Sequence, residues 1–375
     1  MALSPQHEEI REAVRRFTAE QIAPHAARWD RDKEFPREAL RGLASLGLFG
    51  VAIPEELGGA GLDYTTLALA CEEIAVGDSA TAIIVSVNNL VAGILAGYGN
   101  EHQKNKSLKD LSEGKALGAF CLTEPGAGSD AAAITTRAER KGNEYVLNGV
   151  KQFVTSGKNA DLAVIFAVTD RSAGKKGLSA FLVPTSAPGY KVARLEEKTG
   201  QRASDTAQVL LEDCRTDQRV GEEGQGYRIA LANLESGRIN VAAIATGAAR
   251  AALAAALSYS RERKSMGKRL IEHQAVNFRL ADMATRVEAA RRLYLHAAAL
   301  RDAGKPCIKE ASMAKLFASE MAESVCSDAI QIHGGYGYVA DFPVERYWRD
   351  VRVTQIYEGA SDIQRMVIGR VLEEG

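Results

Sequence analysis

The sequence predicts an α+β, mainly α fold. It has a helical N-terminal domain (1–117), a central antiparallel β domain (118–225) and a C-terminal helical domain of four-helix-bundle type (226–375). Three observations predict it. Apolar residues recur at helical spacing toward both ends of the chain. Between Gly118 and Gly226 short strand-like runs follow one another across Gly, Pro and Ser turns. No long helix separates them, and parallel strands need a crossover of about a dozen residues or more, so the pairing is expected to be antiparallel.

The N-terminal third opens with Ser4 as N-cap and Pro5 at the first helical position, followed by Ile10, Val14 and Phe17. "PEELGGAGLD" (54–63) reads as a loop. Apolar, alanine-rich helical runs extend from Tyr64 to Leu95 and break near Gly77-Asp78.

In the central third, "YVLNGVKQFV" places Asn148-Gly149 between two short runs, which is a hairpin signal. Residues 161–170, 178–184, 190–196 and 206–212 read as further strands. "EKTGQRASDT" (197–206) reads as a polar surface loop.

Beyond Gly226 the chain is helical again over 226–264, 274–303 and 309–332, with stops at Gly304-Lys305-Pro306 and Gly334-Gly335. These helices are apolar on several faces, so they bundle or are covered by another subunit. A last helix opens at Ser361, with Gln364 completing a Ser-x-x-Gln capping box. Just before it, Glu358 stands in an apolar elbow with Val353, Ile356 and Tyr357.

A chain of 375 residues holds two or three domains and a sizeable core. Its 47 basic and 48 acidic residues leave a net charge of −1, which argues against nucleic acid or an anionic membrane as the main partner. The start, MALSPQHEEI, lacks a secretory signal, and no apolar run is expected to reach membrane-spanning length. A cytoplasmic location follows as the expectation. Cys71, Cys121, Cys214, Cys307 and Cys326 are odd in number and scattered, so they read as reduced thiols. Neither Cys nor His shows metal-ligand spacing, and no metal is expected.

Four stretches can carry chemistry, although each alone also fits a plain structural role. In "FCLTEPGAGSDAA" (120–132), Gly126 to Ala131 fits G-x-G-x-x-A. A hairpin follows instead of a helix, and no acid closes a second strand, which speaks against a nicotinamide fold. The loop can still offer amides and hydroxyls to phosphates. "QIHGGYGY" (331–338) is a glycine-rich turn after a helix, "SRERKSMGKRLIEHQ" (260–274) a basic cluster, and "QIYEGASDIQR" (355–365) the elbow itself.

Together these stretches, with "LTEPGAGSD", resemble the acyl-CoA dehydrogenase family, in its order and spacing and over nearly the whole chain. "LESGRINVAAIATGAA" is similar to its short-chain and branched-chain members, including isobutyryl-CoA dehydrogenases. The resemblance implies an orthogonal β domain between two helical domains. It implies non-covalent FAD, a homotetramer built as a dimer of dimers, and α,β-dehydrogenation of an acyl-CoA thioester to the trans-2-enoyl-CoA. Electrons then pass to an electron-transferring flavoprotein. A flavin-dependent oxidase or monooxygenase on the same fold is the alternative within the family. A non-catalytic acyl-CoA-binding scaffold is the alternative outside it.

Residue by residue, the resemblance implies that Phe120, Leu122, Thr123 and Ser129 line the flavin, with Ser129 reaching FAD phosphate or the CoA arm. Phe153 and Thr155 belong to a second flavin-lining strand; many relatives have Trp where Phe153 stands. Arg263, His273 and Gln274 match FAD contacts supplied by a neighbouring subunit, and Gln331, Gly334 and Gly335 a loop over the adenosine part. Ala360 falls at an FAD contact where relatives often carry a hydroxyl. Arg238 matches a substrate-contacting arginine, Glu235 lies near its acidic companion position, and Tyr357, Gly359 and Arg370 match further substrate contacts. Glu358 matches the catalytic base. Some relatives place the base beside the arginine, but here that neighbour is Gly237, which has no side chain.

The chemistry explains why an acid would stand in an apolar elbow. A glutamate in water, with a pKa of about 4.3, is a feeble base. Desolvation raises that value toward working pH. The start of the last helix opposes this in part, since its dipole favours the anion.

Overall fold

The computed structural model describes residues 3–374, so residues 1, 2 and 375 of the expected outer domains lie outside the described residues. Helix α1 (Pro5–Phe17) starts as its cap dictates. Ser4 Oγ accepts from His7 N at 3.2 Å, and Ser4 N donates to His7 Nδ1 at 3.3 Å. Helices α2 (Ala23–Asp32), α3 (Arg37–Ser45), α4 (Tyr64–Gly77) and α5 (Ser79–Tyr98) follow, then the short turns α6 (Glu101–Gln103) and α7 (Lys109–Ser112). The break at Gly77-Asp78 is a cap: Asp78 Oδ2 accepts from Thr81 N at 2.8 Å.

Helices α5 and α8 (Gly226–Glu262) depart from the expectation about apolar runs. Both are long and apolar enough to cross a membrane, yet both are mostly buried inside the fold. Small side chains permit this. On α8 a Cβ at Gly247 would meet the Glu72 carbonyl oxygen at 2.2 Å, so α4 and α8 cross nearly backbone to backbone. The crossing is flanked by the buried carboxylates of Glu72 and Glu73, which pair with Arg250 and, for Glu73, with Arg15.

The β domain comprises β1 (Gly118–Cys121), β2 (Arg137–Lys141), β3 (Glu144–Thr155), β4 (Leu162–Val168), β5 (Leu178–Pro184), β6 (Tyr190–Leu195), β7 (Thr206–Thr216) and β8 (Arg219–Val220). Its order is β6-β7-β3-β2-β4-β5-β8, with β1 beside β4. The pairing is antiparallel except that β4 runs parallel to β1 and, at its own last residue, to the first residue of β2. The sheet is therefore mixed. The whole β2–β3 hairpin separates β1 from β4, which gives the length a parallel return needs.

The expected hairpin at Asn148-Gly149 is not a turn. The chain reverses at Gly142-Asn143, and β3 runs straight through Gly149, where its register with β7 shifts. Glycine is needed there for contact: a Cβ would lie 2.4 Å from Thr136 Oγ1. Asn148 bonds across the strands to Asp213 instead of folding back.

The C-terminal domain holds α8, the ribbon β9 (Lys264–Ser265) and β10 (Lys268–Arg269), α9 (Gln274–Asp302), α10 (Ile308–His333), α11 (Val344–Val351) and α12 (Ser361–Glu373). Loop 197–206 is not simple surface. Gln201 and Ser204 are buried, and a Cβ at Gly200 would lie 2.3 Å from the Arg349 carbonyl oxygen. Gln201 N donates to the Asp350 carboxylate, and Lys198 Nζ bonds the loop carbonyl of Gln201 at 2.8 Å. This contact fixes the β domain against the segment that carries Glu358. All five cysteines are free and buried. Among the described residues no group of His, Cys, Asp and Glu is placed to hold a metal ion.

Candidate active site

The turn between α11 and α12 presents Glu358. Glu358 has φ +54° and Gly359 φ +92°, two successive residues in the left-handed region, and the first is not a glycine. This bend points the carboxylate at α8. A Cβ at Gly237 would lie 2.4 Å from Glu358 Oε2, so the space at 237 is where the carboxylate sits. Oε2 is closed to solvent and has no hydrogen-bond partner among the described residues. Burial pushes the Glu358 carboxyl up to about 7, against the opposing charges of Arg238 and Lys315. Among the described residues nothing accepts from the Glu358 backbone N–H, so that donor is free at the elbow.

Two side chains clamp the turn from behind. Lys315 Nζ donates to the Gly359 carbonyl at 2.6 Å, and Gln364 Nε2 donates to it at 2.8 Å and to the Glu358 carbonyl at 3.3 Å. The expected capping box therefore does not form. Ala360 is the N-cap of α12 and offers no side-chain bond, Ser361 is the first helical residue, and Gln364 serves the turn instead. Ser361 Oγ is buried and has no partner among the described residues.

The expected substrate contacts divide. Arg238 is buried, with Nη1 3.4 Å from Ser312 Oγ and Nε without a partner among the described residues. Burial pulls its guanidinium down, the charges of Glu358 and Glu235 raise it, and that of Arg370 lowers it, so these four groups share one neighbourhood. Arg370 is exposed on α12. Glu235 is committed elsewhere: its Oε1 accepts from Arg301 Nη1 at 2.8 Å and from Cys307 Sγ at 3.1 Å. The Tyr357 hydroxyl accepts from Gln201 Nε2 at 3.2 Å, and the Gly359 carbonyl is already doubly occupied. The Tyr357 N–H donates to the Val353 carbonyl at 3.1 Å, so of these two residues only the Gly359 N–H, which has no acceptor among the described residues, is left as a backbone donor for a ligand.

On the β domain, Phe120 packs on Phe166 at 5.1 Å between ring centroids, Leu122 is buried, Thr123 is half-buried and Ser129 is exposed. The loop after β1 is built on an ion pair. Lys151, fully buried, donates to Glu124 Oε1 at 2.8 Å and to the Leu122 carbonyl at 3.1 Å. Glu124 also accepts from the backbones of Thr135 and Thr136. Burial would raise the Glu124 carboxyl, but the charge and hydrogen bond of Lys151 hold it down to about 2. Gln152 N then holds the Thr123 carbonyl at 2.8 Å. Phe153 follows at φ +58° and is 62% exposed, while Thr155 is half-buried. A bulky aromatic residue turned out of a sheet in the left-handed region fits a flat ring laid against it.

A third group lies apart. Arg263, Gly334 and Gly335 line an open cleft of about 610 Å³ with Tyr259, His333 and Tyr336. Gly334 has φ +61° and its N–H donates back to the Ile330 and Gln331 carbonyls; neither glycine has an atom within 4 Å of where a Cβ would be, so the turn leaves room for a ligand to come close to the backbone. Arg263 is exposed over the Tyr336 ring at 5.8 Å from its centroid. Gln274 and Gln331 are exposed nearby in sequence, and His273 Nε2 donates to the Ser265 carbonyl at 3.1 Å. Neither Glu358 nor any of the expected flavin-edge residues of the β domain lines this cleft. Within one chain the expected cofactor contacts thus form two separate half-sites.

Sequence reading passed over Lys315, Gln364 as a clamp, and the Lys151–Glu124 pair. A signal for Lys315 existed: it stands at helical spacing with the buried Ala311, Ala318 and Ala322, a lysine on an apolar face.

The family models described as the acyl-CoA dehydrogenase N-terminal, middle and C-terminal domains match residues 4–115, 119–214 and 224–373. The short-chain specific acyl-CoA dehydrogenase of Homo sapiens mitochondria is 46% identical over 365 residues, 96% of this chain and 89% of its own. The butyryl-CoA dehydrogenase structure from Megasphaera elsdenii superposes with a TM-score of 0.97 at 40% identity, covering 100% of this chain and 99% of that one. A chain from a structure of the electron transferring flavoprotein of Acidaminococcus fermentans superposes at 0.98 with 43% identity, covering all of both chains.

Proposed function

Since the chain belongs to the acyl-CoA dehydrogenase family, and is an FAD-dependent acyl-CoA dehydrogenase, we propose that it dehydrogenates short- or branched-chain acyl-CoA thioesters and hands electrons to an electron-transferring flavoprotein. The observation that carries this is the Glu358 carboxylate, with one oxygen dry and unpartnered against the bare backbone of Gly237. The human relative's short-chain specificity and the electron-transferring flavoprotein structure support the finer reading.

Bound FAD supplies the acceptor for the hydride that leaves Cβ. Everything else falls to this chain. Glu358 takes the Cα proton on its carboxylate; its raised proton affinity makes it a competent base near neutral pH. The Glu358 N–H, without an acceptor among the described residues, would meet charge growing on the thioester oxygen. Arg238 and Arg370 supply positive charge toward the CoA end. Phe120, Thr123, Phe153 and Thr155 would hold the flavin ring. The buried Ser361 hydroxyl, without a partner among the described residues, stands one residue beyond Ala360 and would be the hydroxyl available to FAD there.

Arg263, Gln331, Gly334 and Gly335 hold the rest of FAD on a second copy of the chain, because one chain does not join the two half-sites. This makes a dimer the smallest competent unit and a dimer of dimers the expected assembly. Replacing Arg263 by alanine is expected to weaken FAD retention at least about tenfold, a loss of about 1.4 kcal/mol or more from a charge-assisted phosphate contact. Ultrafiltration followed by flavin absorbance measures it; unchanged retention would remove Arg263 from the site.

Anaerobic titration across straight and branched acyl-CoAs tests the function. Bleaching of the flavin by butyryl- or isobutyryl-CoA is expected. Flavin that no acyl-CoA bleaches would favour an oxidase or monooxygenase on this fold.

A further inference from the structure

We propose that Lys315 is a positioning residue for the base: its ammonium fixes the left-handed Glu358–Gly359 turn through the Gly359 carbonyl and sets a positive charge behind the carboxylate. This rests on Glu358 being the base.

The geometry is specific. Lys315 has no exposed surface. It stands on α10 between the buried Ala311 and Ala318, and Nζ reaches the Gly359 carbonyl at 2.6 Å. That is the only hydrogen bond it makes among the described residues, although an ammonium carries three donors. A methionine or leucine would fill such a place with no ion to desolvate. The lysine is therefore explained by what it touches. The bend it holds is unfavourable for a residue with a Cβ and persists only where neighbours impose it. Gln364 supplies one restraint on the same carbonyl, and Lys315 supplies the other, with charge.

The charge matters because of what surrounds Glu358. Helix α8 contributes Arg238 and, further off, Glu235, which Arg301 neutralises. Helix α10 contributes Lys315, with Glu320 beyond it, and α12 contributes Arg370 beside Arg238. Ser312, one turn before Lys315 on α10, is the partner of Arg238. One helix face thus aligns both cations that act on the carboxylate. Burial pulls the Lys315 ammonium down to about 8, and Glu358 raises it, so at neutral pH the group stays mostly charged. Removing it leaves the anion less favoured, and the base then ionises at higher pH.

The test uses FAD-loaded K315M, K315Q and K315R beside E358Q. The pH dependence of anaerobic flavin reduction by butyryl-CoA is measured, with amide hydrogen exchange of residues 356–364. In K315M the acid limb is expected to rise by at least about one pH unit, with faster exchange in the turn. K315Q keeps a donor for the carbonyl and lacks the charge. It should move the limb with less effect on exchange, and it serves if K315M does not fold. K315R should keep the wild-type limb. A limb that stays in place in FAD-loaded K315M or K315Q overturns the proposal, whatever the absolute rate. E358Q separates the two readings: reduction that survives in E358Q removes the base itself, whereas an unmoved limb beside an inactive E358Q removes only Lys315.

Discussion

Glu358→Gln is expected to lose between about a hundredfold and ten-thousandfold in the rate of flavin reduction by acyl-CoA, with FAD content unchanged. Glutamine has the same shape and sits in the same turn. It keeps the contact with Gly237 and lacks only the ability to take a proton. The wild-type rate should fall as pH drops below about 7, because the carboxyl is half protonated there. Stopped-flow bleaching across pH measures both. Near-normal reduction in the variant would end the role of Glu358.

The same substitution has a second, independent signature. Burial raises the folded-state pKa of Glu358 from 4.5 to about 7. The sign follows: the folded chain binds the proton more tightly than the unfolded one, so this contribution is fully present below about 4.5 and lost as pH rises through about 7. Glutamine never ionises. At about pH 8 the variant should be the more stable by up to about 3 kcal/mol, and at about pH 5 the gap should nearly close. Denaturant unfolding at the two pH values decides it. Equal stability at both would mean that the carboxylate is better solvated than its unpartnered Oε2 indicates.

Lys151→Met carries the second large expected effect, a destabilisation of about 3–5 kcal/mol. Methionine fills the space, but Glu124 is left buried without its cation. The loop that carries Thr123 and Ser129 is hung on that carboxylate through the backbones of Thr135 and Thr136, so FAD retention should fall as well. Adding Glu124→Gln should recover part of the stability, because it removes the stranded charge. The double-mutant cycle in denaturant measures the coupling. Single variants that each cost less than about 1 kcal/mol would show that water or a neighbouring group compensates the pair.

The sequence by itself determined the alternation of helical, β and helical segments, since periodicity, proline and glycine stops and caps such as Ser4 and Asp78 act within a few residues. It also singled out Glu358 and the glycine-rich loops, because their residue types stand in a resembling order. What it misread depended on partners far along the chain. Asn148-Gly149 looked like a turn, but a strand passes there because Thr136 needs the space a side chain would fill. Ser361 and Gln364 looked like a capping box, yet Gln364 finds nearer acceptors in the Glu358 and Gly359 carbonyls. Loop 197–206 looked exposed until α11 covered it. The dryness of Glu358, the cation pair behind it and the burial of α5 and α8 belong to the tertiary structure alone. Desolvation is a property of everything packed around a group, and only folding brings residues 237, 315 and 358 together.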